Sequence, residues 1–524
     1  MLISLPHALD RSTARFPDKE AVRCNGKALT YAELQRQANS LAAILRQQGV
    51  KRGDRVGIYM NKDLETAVSV YGIMKAGAAY VPLDPFAPLS RLTFVINDCD
   101  IRVVATKPNK MAQVKEMLPE TKISCLVGVS QQDDVPVYCV PWESVVEGAA
   151  GTDPGIHVIE QDLAYILYTS GSTGTPKGIM HTHRSALSFA EWAAYEYGLT
   201  PSDKVSNHAP FHFDLSTFDM YATAVAGGTV VIIPEFVTKF PASLSKLIQD
   251  EQINVWYSVP FALIQLMERG ALDSRDLSSL RWILFAGEVF PTKHLRRLMN
   301  LLPDVQFSNL YGPTETNVCT FYHVTTVPEG DEPIPIGVPC TNTEALVVDA
   351  DDRVVAKGES GELLIRGGTV MRGYWGRPDL NEKGFFLRET IVGHPDIFYR
   401  TGDLVEELPD GNYKYLGRKD RQVKTRGYRV ELDEIEVAML SHPDVQEAAV
   451  YTVSDGEGST LIEGAVVPKP DTSLTSEALS AFLHTKLVPY AVPVKLMVLS
   501  EFPRTSTGKI NRRELQAMSV TAVA

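Results

Sequence analysis

Apolar and polar positions recur along this chain with two different periods, and the change between them divides it. Thr30-Tyr-Ala-Glu33 has the form of a capping box, followed by Leu34, Ala38, Leu41 and Leu45 on one helical face up to Gly49. Val56-Gly-Ile-Tyr-Met60 reads as a short buried strand, with a helix through Val68 to Met74 after it. Val103-Val-Ala-Thr106 and Ser124-Cys-Leu-Val127 read as further strands. Strands separated by helix-length connections predict parallel pairing. The pattern continues with an apolar run over 163–167, a helix over 185–195, and strands at 228–233, 255–260, 282–285 and from Phe307. Three of these strands run into polar turn residues: those after 167, the segment Ala286-Gly287-Glu288, and the stretch from Asn309 to Glu315. Polar strand ends gathered on an open α/β sheet build a ligand crevice.

Beyond about residue 330 the pattern becomes alternating. Gly361-Glu-Leu-Leu-Ile-Arg366 has period two, and Asp410-Gly-Asn marks a hairpin turn, so antiparallel pairing is expected. The last hundred or so residues carry their own strands (447–452, 463–467) and a helix near 476–486. They form a separate α+β domain with its boundary near Asp420.

At 524 residues, two or more domains are required. A net charge of −13 argues against nucleic acid and against an anionic membrane surface, so a phosphate-bearing ligand needs local positive groups. The N-terminus lacks the features of a signal peptide, and no segment has the apolar length of a membrane span. Six cysteines without C-x-x-C spacing read as reduced thiols, and a cytoplasmic enzyme is expected.

Candidate chemistry begins at Tyr168-Thr-Ser-Gly-Ser-Thr-Gly-Thr-Pro-Lys-Gly178. Glycines, hydroxyls and Lys177 after a strand can wrap phosphate oxygens. A proline stands where a Walker A loop has its second glycine, so that pattern does not apply. A polar surface turn is the competing reading, and the stretch alone leaves the two open. His181 and His183 suggest zinc by their H-x-H spacing, but no third ligand lies near in sequence, which favours structural or phosphate-proximal roles.

Taken in order, residues 168–178, Phe213-Asp-Leu-Ser216, Asn309-Leu-Tyr-Gly-Pro-Thr-Glu315, Gly361-Glu-Leu363, Tyr399-Arg-Thr-Gly-Asp-Leu404, residues 417–435 and Thr507-Gly-Lys-Ile510 resemble the adenylate-forming superfamily. That superfamily comprises acyl-CoA synthetases, luciferases and nonribosomal-peptide adenylation domains. The resemblance implies an α/β fold: a large N-terminal domain over residues 1–419, with parallel α/β sheets and a β-barrel-like subdomain, and a small α+β C-terminal lid over residues 420–524. It implies ATP and Mg2+, and two half-reactions, adenylation of a carboxylate and transfer of the acyl group to a thiol.

Residue by residue, the resemblance assigns Thr169, Ser170, Gly171, Ser172, Thr173, Gly174 and Lys177 to the departing phosphates. Gly287, Glu288, Leu310, Gly312 and Tyr415 are assigned to ATP, Tyr311 to adenine by stacking and Asn309 to its exocyclic amine. Asp403 is assigned to the ribose hydroxyls, Arg418 to ribose and phosphate, Thr314 to the α-phosphate and Glu315 to Mg2+. Lys509, in a glycine turn of the lid, is the expected catalytic cation, because positive charge is needed where charge develops in phosphoryl transfer. Asp420 is the expected hinge, and Gly427 the passage for the carrier arm. A solvated charged face is the alternative for residues 418–429.

Asp214 distinguishes the substrate class. Members that activate amino acids resemble this chain in carrying an aspartate there to pair with the substrate ammonium. Capping of the following helix is the alternative. The other pocket positions are Leu215, Phe218, Tyr257, Leu284, Ala286, Leu310, Val318 and Cys319, a bulky apolar wall with no second charge. The set resembles the pocket of free-standing L-proline-activating enzymes, which usually have a leucine where Phe218 stands. Pipecolate and valine stay open, since one methylene is worth only about 1–3 kcal/mol. The tail after Lys509 is too short for a carrier domain, so the expected acceptor is the phosphopantetheine thiol of a separate carrier protein, with coenzyme A as runner-up. A D-alanine ligase, an acyl-CoA synthetase and a catalytically silent scaffold are the competing readings.

Overall fold

The computed structural model describes residues 2–148, 152–171, 174–327, 329–455, 460–504 and 510–521. These residues divide into two compact units. The first comprises residues 1–85, 96–168 and 178–419, and the second residues 86–95, 169–177 and 420–524.

The first unit holds a nine-stranded and an eight-stranded sheet, each mainly parallel in its recorded pairs, and a five-stranded antiparallel sheet. The largest core packs helices Leu5–Arg15, Tyr31–Gln47 and Leu64–Lys75 against strand residues of both large sheets, among them Val22 and Ile232 of one and Val56, Tyr80 and Leu167 of the other. Helix Tyr31–Gln47 starts as its capping box requires: Glu33 N donates to Thr30 Oγ1 at 3.2 Å, and Thr30 N donates to Glu33 Oε2 at 2.8 Å.

What positions the site is the nine-stranded sheet. Strands Val255–Ser258, Trp282–Phe285 and Gln306–Tyr311 run parallel and in register, with Tyr257 beside Leu284 and Leu284 beside Ser308. Because side chains alternate across a strand, Tyr257, Leu284, Ala286, Ser308 and Leu310 share one face. The five-stranded sheet contributes the long strand His394–Glu407, paired so that Asp403 lies opposite Arg418.

In the second unit, strands Val445–Ser454, Thr460–Pro468 and Lys495–Val498 form a sheet. Helices Leu432–Leu440 and Ser476–His484 pack against it through Ile435, Met439, Leu479 and Leu483. No helix among the described residues is long and apolar enough to cross a membrane.

Candidate functional site

Within the first unit, strand pairing brings the residues expected at the nucleotide together. Tyr311 closes strand Gln306–Tyr311, and its hydroxyl donates to a carboxylate oxygen of Asp403. The other Asp403 oxygen accepts from Arg418 Nη1 at 2.7 Å, and Arg418 also donates to the Thr401 carbonyl at 3.1 Å. Asp403 and Arg418 are both almost fully buried, and the Tyr415 ring lies 6.4 Å from that of Tyr311. Asn309 donates its amide to the Pro335 carbonyl at 2.9 Å, which fixes the amide plane. The next strand over, Trp282–Phe285, delivers Ala286, Gly287 and Glu288 at its C-terminal end.

Thr314 and Glu315 follow in the turn after Tyr311. Glu315 is completely buried; its carboxylate accepts from Tyr374 Oη at 2.8 Å, and Tyr374 Oη lies 3.1 Å from Tyr399 Oη. The Thr314 carbonyl accepts from His181 Nε2 at 2.8 Å, which fixes that tautomer and leaves Nδ1 facing Ser185 Oγ at 3.1 Å. Burial lowers the pKa of both His181 and His183 to about 4. His183 Nδ1 accepts from the Leu5 N–H at 3.3 Å, so both rings act as neutral structural groups. Among the described residues no group of three or more His, Cys, Asp or Glu is arranged to hold a metal ion.

The apolar wall assembles in one cluster: Phe218, Tyr257, Leu284, Ala286, Leu310 and Val318 are buried together, with Leu215 packed against them. Phe218 meets Tyr257 edge-on at 5.3 Å and Tyr197 at 5.9 Å. Cys319 separates from this group. It packs with Tyr311, Ile336 and Val347, because neighbouring residues of an extended segment point to opposite sides. Cys340 takes the cysteine's place in the wall cluster, with Sγ 3.9 Å from the Val318 carbonyl.

Asp214 stands at the edge of this wall. It precedes the short helix Leu215–Thr217, but its side chain makes no capping hydrogen bond. The phenols of Tyr257 and Tyr165 are raised well above the usual range, first by burial, with the Asp214 charge adding to the rise. The other acid of the segment, Asp219, is fully buried and bonded by Asn207 Nδ2 at 2.9 Å; burial raises its carboxyl well above the carboxylate range. Burial therefore favours the neutral form of Asp219.

Asn317 joins the two sides of the pocket, and no sequence motif pointed to it. Its Nδ2 donates to Thr217 Oγ1 at 3.1 Å, and its Oδ1 accepts from Val318 N at 3.0 Å. Its positive φ of 53° is a conformation that asparagine tolerates better than most residues.

The glycine-rich stretch belongs to the second unit for residues 169–177. Ser170 Oγ donates to the Arg429 carbonyl at 3.0 Å, and Gly174 N donates to the Gly171 carbonyl at 2.9 Å. Lys177 lies near the buried carboxyl of Glu431, which is raised by burial and lowered again by the Arg429 and Lys177 charges. Ser172, Thr173 and Lys509 lie outside the described residues. Asp420 is the first residue of the unit's last segment, and its carboxylate accepts from Gln422 N at 3.2 Å. Gly427 has a φ of 85° and follows Arg426 at 50° in the two-residue turn joining Gln422–Thr425 to Tyr428–Glu431. A turn with two successive positive φ values calls for glycine on its own account, apart from any passing ligand.

With this geometry in hand, comparison with known proteins is informative. Residues 9–375 match the family model described as AMP-binding enzyme, and residues 434–509 match AMP-binding enzyme C-terminal domain. An L-proline--[L-prolyl-carrier protein] ligase of Pseudomonas fluorescens is 37% identical over 96% of this chain and 96% of its own. One from Streptomyces coelicolor is 39% identical over 93% of this chain and 91% of its own. Among solved structures, an amide bond synthetase from Marinactinospora thermotolerans superposes with a TM-score of 0.85 at 23% identity, covering 98% of this chain and 99% of that one.

Proposed function

The chain belongs to the AMP-binding enzyme family, and from that premise we propose that it activates an amino acid, L-proline, with ATP and passes it to a carrier protein. The substrate carboxylate attacks the α-phosphorus, forming the acyl-adenylate as the bond to pyrophosphate breaks. The phosphopantetheine thiolate then attacks the acyl carbon and AMP leaves. The observation that carries this reading is Asp214: a carboxylate at the edge of an apolar wall, in a helix-start position that it does not cap. A secondary ammonium presents two N–H donors to such a group, and proline's ring is compact and apolar enough for the wall around Phe218. Two relatives named as proline ligases support the same substrate. Their names also give a carrier protein as the acceptor, which supports the second half of the reading.

In this reading Asp403, held by Tyr311 and Arg418, receives the ribose hydroxyls, Tyr311 and Asn309 face adenine, and Thr314 serves the α-phosphate. Residues 169–177 take the β- and γ-phosphates, and Lys509 is the lid cation. Mg2+ would be held by Glu315, a carboxylate suited to this ion when phosphate oxygens supply the other ligands, and one oriented here by Tyr374 Oη at 2.8 Å. When bound, it supplies charge neutralisation at the phosphates. Asp420 is the hinge between residues 1–419 and the lid.

Amino-acid-dependent ATP–pyrophosphate exchange across a panel of amino acids tests the proposal. Proline should give the strongest exchange. Strongest exchange with alanine would replace the substrate, and absence of exchange with every amino acid would overturn the activity.

A further inference from the structure

Lys62 is a lysine in a costly place. It is 5% exposed, and burial pulls its pKa down to about 8 against the opposing charge of Glu235. Its ammonium makes three hydrogen bonds, to the carbonyls of Asn207, His208 and Ala209 at 2.9, 2.8 and 3.2 Å. Those carbonyls are consecutive and lie where strand Lys204–Asn207 ends and the segment leading to Asp214 begins. An ammonium has three donors, so this arrangement uses all of them. The Lys62 backbone is fixed in turn, its N–H donating to Glu235 Oε1 at 2.8 Å.

The same segment is closed at its neck. Asn207 Nδ2 donates to Asp219 Oδ2 at 2.9 Å, joining the residue where the segment starts to the one beside Phe218 where it re-enters the wall. Asn207 Oδ1 and Asp219 Oδ1 are both buried without a hydrogen-bond partner among the described residues. A single proton on Asp219 would let acid and amide pair through both edges. Between neck and tip the chain folds on itself: Phe213 N donates to the Pro210 carbonyl at 3.0 Å and Ser216 Oγ to the Phe213 carbonyl at 2.6 Å. Asp214 therefore hangs from a short rigid loop whose base is held by Lys62 and the Asn207–Asp219 pair.

We propose that Lys62 is a positioning residue for amino-acid selection, setting through the Asn207, His208 and Ala209 carbonyls the place at which Asp214 meets the substrate ammonium. The inference rests on the reading of Asp214 as the ammonium partner. Lys62 acts through those carbonyls, which take all three of its ammonium donors. Loss of its donors leaves three carbonyls in a buried place to find new partners, and the loop must shift to satisfy them.

The test is full-length Lys62→Met in the exchange assay, using whichever amino acid the wild type activates best, with a thermal melt alongside. KM for the amino acid should rise about 10-fold or more, with kcat changed less than about 3-fold and KM for ATP within about 2-fold. If Lys62→Met does not fold, Lys62→Arg, which keeps the charge but displaces the carbonyls, should show the same split. A folded variant with unchanged amino-acid KM overturns the proposal, as does a parallel rise in both KM values. The underlying reading fails separately: an unchanged amino-acid KM in Asp214→Ala removes Asp214 from recognition whatever Lys62 does, and a wild type that prefers another amino acid displaces proline without touching Lys62.

Discussion

The Tyr311 hydroxyl donates to the Asp403 carboxylate, whose other oxygen is bonded by Arg418. The ring proposed for adenine and the acid proposed for the ribose are thus one buried unit, with the Arg418 and Asp403 side chains 8% and 3% exposed. Removing one partner of a buried ion pair strands the other, at a cost of about 3–5 kcal/mol. Asp403→Ala should therefore lower stability by that order and abolish ATP saturation. Asp403→Asn should fold better and raise KM for ATP about 10-fold or more. Denaturant melts beside ATP titrations in the exchange assay decide this. An Asp403→Asn protein with unchanged ATP KM would take Asp403 out of nucleotide binding.

Asp214 gives the second prediction. Hydrogen bonds to charged groups are worth about 1.5–3 kcal/mol, so Asp214→Ala should raise KM for the amino acid roughly 10- to 150-fold. KM for ATP should hold. Because the side chain makes no capping bond, thermal stability should fall by less than the about 1 kcal/mol that a lost helix cap costs. A stability loss of about 1 kcal/mol with an intact amino-acid KM would mark a structural cap instead.

The pocket shows what a chain discloses about itself and what it withholds. Strand runs such as Trp282–Phe285 and the Thr30 capping box are local signals, and the structure has them close to where the pattern puts them. The abreast alignment of Tyr257, Leu284 and Ser308 depends on pairing between distant strands, which no local period encodes. The stretch around Phe218 lacks a clean period because residues Phe218–Ala222 form a π-helical turn, a wider winding than either template. Strand Phe385–Ile391 carries Arg388, Glu389 and Thr390 at an exposed sheet edge, so burial imposes no alternation on it. Cys319 fell to the other side of the wall because a one-residue step reverses a side chain. Lys62 was invisible: a lysine in sequence reads as surface, and only three carbonyls brought from residues 207–209 show otherwise.

Phe218 should set ring size. Fully buried among Tyr197, Tyr257 and Phe189, it has little room to turn away from a larger ligand. Phe218→Leu opens the wall and should shift the kcat/KM ratio of pipecolate to proline upward by about 10-fold, the scale of one methylene in an apolar site. It should also cost about 1–3 kcal/mol of stability for the lost aromatic packing. Exchange kinetics with both imino acids measure the ratio. An unchanged ratio would place the size limit elsewhere in the wall.

Acid should destabilise the first unit through His181 and His183. Burial lowers both pKa values from 6.5 to about 4, so between those limits the unfolded chain binds protons that the native chain does not. Stability then rises with pH: the contribution is complete above 6.5 and is lost as pH falls toward 4. At 1.36 kcal/mol per pKa unit, each histidine accounts for at most about 3 kcal/mol. His183→Asn isolates one of them, since a side-chain oxygen can still accept from the Leu5 N–H while nothing there titrates. Urea melts of both proteins at pH 7.5 and pH 4.5 should show the wild type losing about 2–3 kcal/mol more than the variant across that interval. Equal losses would mean that His183 takes up its proton alike in the native and unfolded chains, and that its Nδ1 does not accept from Leu5.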